Sequence, residues 1–125
     1  MKITDGLLGE HALFYQIFDS LEEVMDEAAS PIEIQRAFDA IRLAILSHAA
    51  LEDEVLFANV ARSGAEAGII SVMRAEHREI DGLTNAVARA GTLEEARGAA
   101  RRLLDLLRVS QHRCAKIFVW PGLRQ

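Results

Sequence analysis

The 125-residue chain has one cysteine, Cys114. An internal disulfide framework is therefore excluded, as are zinc or iron–sulfur sites built on several thiolates. Basic residues are also scarce, 14 against 19 acidic, for a net charge of −5. That balance argues against nucleic acid or an anionic membrane as the main partner. The basic stretch RGAARRLLDLLR at 97–108 is interrupted by Asp105 and spread around its axis by helical winding, so it reads as a solvated helix face. No apolar run is long enough to span a bilayer, and the opening MKITDGLLGEH lacks the apolar stretch of a signal peptide. A cytoplasmic protein is expected. No nucleophile–base pair or P-loop is visible, so nothing in the chain supports an enzymatic reading directly.

What the chain does have is helical periodicity. Half of its residues are hydrophobic, enough for one compact domain over residues 1–125. Leu7, His11, Phe14, Phe18, Leu21 and Met25 recur at threes and fours along one helix face, with Thr4 or Asp5 as its cap. Ser30-Pro31 opens a second helix, whose inward stripe runs Ile34, Phe38, Ile41, Ile45, His48, Glu52, Val55. A third carries Ile69, Met73, His77, Ile80, Thr84 and Val87, and stops at Gly91-Thr92. The fourth opens on the capping box Thr92–Glu95 and carries Ala96, Ala100, Leu103, Leu104, Leu107, Cys114 and Phe118. No segment reads as a strand. The expected fold is all-α, an antiparallel up-down four-helix bundle.

A weak internal repeat relates the two halves. LLGEHALF echoes MRAEHREI, and HAALEDEVLFANV echoes the end of the fourth helix. Each half is thus a helical hairpin with one histidine early and one late. In an up-down bundle those four positions fall at one height. At about 100° per residue, His11, His48, Glu52 and His77 all lie within apolar arcs. A carboxylate on such a face requires a hydrogen-bonded, charged or metal partner, and the histidines are the evident ones. Imidazole nitrogens with a carboxylate suit iron, manganese, zinc or nickel.

The segments GEHALF, HAALEDEVLF and AEHREI, followed by a late aromatic-Pro ending, resemble the hemerythrin-like, or HHE cation-binding, domain family over essentially the whole chain. The resemblance implies a four-helix bundle around non-haem iron, with histidines as terminal ligands and two carboxylates as bridges. Its implied roles are reversible oxygen binding, oxygen or iron sensing, and handling of nitric oxide or peroxide. By resemblance His11, His48, Glu52 and His77 match ligand positions, with Glu52 as one bridge.

The fourth helix departs from the pattern. If His112 is matched to His48, Lys116 stands opposite Glu52 and His112 joins the metal ligands. If Trp120-Pro121 is matched to the family's Phe-Pro, Gln111 takes the histidine position and Ala115 the carboxylate position. Periodicity favours the second register; a local bulge would restore the first. Either way the second bridge is missing, and Met73 stands where oxygen-carrying members have a further histidine. The expectation is therefore one non-haem iron, or two, in an incomplete site that takes a small diatomic ligand. The alternative is a metal-free bundle acting as a structural or regulatory interaction module. Either would pass its signal through a homodimer or another protein partner.

Of the neighbouring residues, Glu10, Asp53, Glu54, Glu76, Glu79 and Asp81 read as solvated carboxylates. Asp81, one turn after His77, is the one placed to reach inward.

Overall fold

The computed structural model describes residues 3–63 and 67–118, with side chains described for 12–55, 68 and 70–113. Four helices make up this part of the chain: α1 (Ile3–Glu27), α2 (Pro31–Ser63), α3 (Ala67–Arg89) and α4 (Leu93–Phe118). The expected bundle is the one observed. α1 begins before Thr4 and Asp5, which therefore lie inside its first turn and do not cap it.

The direction of packing can be read from contacts between helices. Arg97, Arg101 and Arg108, ascending α4, meet Met25, Glu22 and Asp19, descending α1. Gln35 and Asp53 of α2 likewise meet Val87 and His77 of α3 in reverse order. α1 and α4 are thus antiparallel, as are α2 and α3. The core is the predicted set of stripes: Phe14, Phe18, Leu21 and Met25 from α1, Ile34, Phe38 and Ile45 from α2, Ile80 and Val87 from α3, and Leu103, Leu104 and Leu107 from α4. Each large apolar side chain taken fully from water contributes about 1.5–3 kcal/mol. Ala96, Ala99 and Ala100 are also buried, which lets α4 pack closely against its neighbours.

The end of the bundle that joins α1 to α2 and α3 to α4 is fastened in the same way twice. At each helix start a glutamate one turn in accepts a backbone N–H from before the cap: Glu33 from Ala29 at 2.7 Å, and Glu95 from Gly91 at 3.1 Å. Thr92 Oγ1 also accepts the Glu95 N–H, the predicted cap. The fifth residue beyond each cap then crosses to the other half. Arg97 donates to the carbonyls of Met25 and Ala28, both at 2.9 Å. Gln35 donates to those of Val87 at 3.1 Å and Ala90 at 2.9 Å. These are carbonyls that a helix C-terminus leaves without intrahelical partners. Each half therefore caps the other, and the internal repeat has a structural counterpart here.

The basic stretch is not simply a solvated face. Arg101 pairs with Glu22 and Asp26, and Arg108 with Asp19 and Glu22, forming an ionic seam between α4 and α1. Arg102 remains exposed. Arg108, and then Arg101, hold the Glu22 carboxyl below its ordinary value, while Glu22 raises Arg108. Among the described residues no helix is long and apolar enough to cross a membrane.

Candidate metal centre

At the far end of α2 the inward stripe changes character. Ile34, Phe38 and Ile45 give way to His48 and Glu52, 3% and 1% exposed. One helical turn separates them, and His48 Nε2 lies 3.0 Å from Glu52 Oε1. Phe14 of α1 packs edge-on to the His48 ring, with centroids 5.0 Å apart, and fixes its plane. α3 contributes His77 from across the bundle. Its Nε2 faces the same Glu52 oxygen at 3.9 Å, while its Nδ1 is 2.9 Å from Asp53 Oδ1. Three of the predicted residues, His48, Glu52 and His77, are thus brought together around one buried carboxylate oxygen.

His11 lies outside the described side chains, as do Glu10, Cys114, Ala115 and Lys116. His112 is not brought to the site. It is exposed and lines a shallow surface hollow with Arg108, Val109 and Arg113. Its neighbour Gln111 is buried at 5%, beside buried Ser110. α4 runs as unbroken α-helix from Leu93 to Phe118, so no bulge rotates His112 inward. Gln111 Oε1 has no hydrogen-bond partner among the described residues. The α4 wall therefore presents a neutral amide to the core.

Two carboxylates differ from their sequence reading. Glu76 is buried and pairs with Arg113 of α4 at 3.0 Å. Its place between Met73 and Ile80 on the apolar arc was a usable signal. Asp53 is bonded to His77, and nothing in the periodicity pointed to that. Asp81, which had been placed to reach inward, is exposed.

The donor chemistry can be tested against a metal ion. Ligands about 2.1 Å from a common ion stand roughly 3.0 Å apart at right angles and roughly 3.9 Å apart at a wide angle. The two nitrogen–oxygen spacings around Glu52 fit that range. The protonation pattern fits as well. A carboxylate only accepts hydrogen bonds, so His77 donates from Nδ1 to Asp53, which leaves Nε2 as the nitrogen that faces Glu52. A proton on Nε2 would face an oxygen too distant for a hydrogen bond. Even so, among the described residues no three His, Cys, Asp or Glu side chains are grouped so as to hold an ion. The pairwise spacings suit one ion, but these residues alone do not form a closed shell.

The fold and this half-assembled donor set define a four-helix bundle of the cation-binding class. The family model for the hemerythrin HHE cation binding domain matches residues 2–116. The chain belongs to that family. No curated protein and no solved structure matches it.

Proposed function

We propose that this protein holds a single non-haem iron ion through His11, His48, Glu52 and His77, and that it binds or senses a small diatomic molecule such as oxygen or nitric oxide. The observation that carries the reading is the buried Glu52 oxygen approached by imidazole nitrogens from two helices. Three histidines and one carboxylate, with positions left open, form a nitrogen–oxygen donor set that suits iron. The ion would supply a redox-active centre with sites for a small ligand. The protein's part is to hold the donors in place and keep the surroundings dry. Phe14 against His48 and the buried Met73, one turn before His77, supply apolar surface, and Gln111 adds no charge from α4. One carboxylate provides less negative charge than a pair of irons requires, which favours one ion.

Gln111 also supports a second reading, in which the bundle has given up metal and serves as an interaction module. Elemental analysis of protein expressed with added iron separates the two. About one iron per chain, lost in His48→Ala, supports the metal reading. A well-folded wild type without metal overturns it.

A further inference from the structure

The ligand set leaves Asp53 without a role. This carboxylate follows Glu52 directly on α2, so the two side chains leave the helix about 100° apart. Glu52 points into the core, while the Asp53 side chain is one-third exposed at the α2–α3 edge. His77 spans both, with one ring nitrogen toward each of two consecutive carboxylates. We propose that Asp53 is the positioning residue of the centre: by accepting the Nδ1 proton of His77 it fixes the ring's tautomer and orientation, and so holds Nε2 toward Glu52 as a metal donor. This rests on the metal reading above.

The argument is geometric. Neutral imidazole carries one N–H, and in water the proton is free to reside on either nitrogen. The 2.9 Å contact to an acceptor assigns it to Nδ1. Moving the proton to Nε2 would break that bond and present an N–H toward Glu52 in place of a lone pair, and turning the ring over would present a C–H there. Asp53 therefore sets which face His77 shows to the core without touching the ion. Outer carboxylates of this kind typically carry a 10–100-fold effect on metal affinity.

The test pairs a metal-independent readout with a metal-dependent one, on wild type, Asp53→Ala, Asp53→Asn and Asp53→Glu. Long-range nitrogen–proton NMR on the metal-free protein reports the His77 tautomer. Competition with a chromophoric chelator reports ferrous and zinc affinity. The expected result is an Nδ1–H tautomer in wild type, lost in Asp53→Ala together with 10–100-fold in affinity. Asp53→Asn, whose amide oxygen still accepts, and Asp53→Glu should each recover part of both signals. An Nε2–H tautomer in wild type overturns the proposal. So does a tautomer unchanged in Asp53→Ala, even with affinity lost, because the loss would then have another origin. If wild type takes up no metal, the metal reading fails, and the tautomer series alone decides whether Asp53 positions the ring.

Discussion

Replacing Glu52 by Gln tests the centre most directly. The amide keeps the side chain's volume at a position 1% exposed, so the metal-free fold is expected to survive. What it removes is the only charged donor among the three residues brought together. The magnitude follows from linkage. With metal at 100 times its dissociation constant, binding adds about 2.7 kcal/mol to stability. An unfolding entropy of about 2.1 cal/mol/K per residue amounts to roughly 0.26 kcal/mol/K for this chain, so wild type should gain about 10 °C in Tm. Even a 100-fold loss of affinity, the upper end for an outer group, leaves about 0.4 kcal/mol, or about 1.5 °C. A charged ligand should cost at least that. The assay is thermal unfolding by circular dichroism with and without ferrous iron or zinc, with His112→Ala as control. That exposed histidine should leave the full increment intact. An undiminished metal-induced shift in Glu52→Gln, or its loss in His112→Ala, would refute the assignment.

Three further outcomes follow from the fold. Arg97→Ala removes both donations to the α1 C-terminus and should cost about 2 kcal/mol, since hydrogen bonds from charged groups are the stronger kind; urea unfolding measures it, and a change within error would show that water caps those carbonyls equally well. Leu103→Ala, at a fully buried position, should cost about 2–5 kcal/mol by the same assay. The third concerns pH. Glu22 is held below its ordinary value of 4.5 by Arg108 first and Arg101 second, so its contribution to stability is present above that value and lost as pH falls through the lower folded-state value. The Tm difference between wild type and Glu22→Gln should therefore be level at neutral pH and close below pH 4.5; a gap that widens on acidification would contradict the seam.

Much of this was legible because helices advertise their buried face. The stripes from Phe14 to Met25, Ile34 to Val55 and Ala96 to Leu107 are spacing alone, and the core follows them. The same winding carried His48 and Glu52 inward, and it favoured Gln111 over His112. Partners lying sideways between helices were not legible. Asp53 and Arg97 sit off the apolar arcs, and their roles come from what faces them across a helix boundary. Spacing within one helix carries no information about that. Glu76 is a different case: its position was periodic, but its charge outweighed the pattern in the sequence reading. Burial of that charge is offset by a guanidinium on the neighbouring helix.

The two ends of the bundle also keep the internal repeat differently. At the fastened end Ser30 answers to Thr92, Glu33 to Glu95, Gln35 to Arg97 and Ala28 to Ala90, all at one constant spacing. At the site end that spacing sets His48 against Ser110 and Glu52 against Cys114, so the His–Glu pair of α2 has no counterpart in α4. The difference has a physical basis. Reciprocal capping needs both halves, because losing either donor exposes carbonyls at a helix end to the same cost. A metal centre is under no such symmetry: an ion needs a sufficient number of donors, whichever helices supply them. His48 and Glu52 lie on α2 and His77 on α3, with His11 of α1 the fourth proposed donor, and α4 fills its side with Ser110 and Gln111. For the one-ion site proposed above, a neutral fourth wall is no obstacle, since the remaining donors come from other helices.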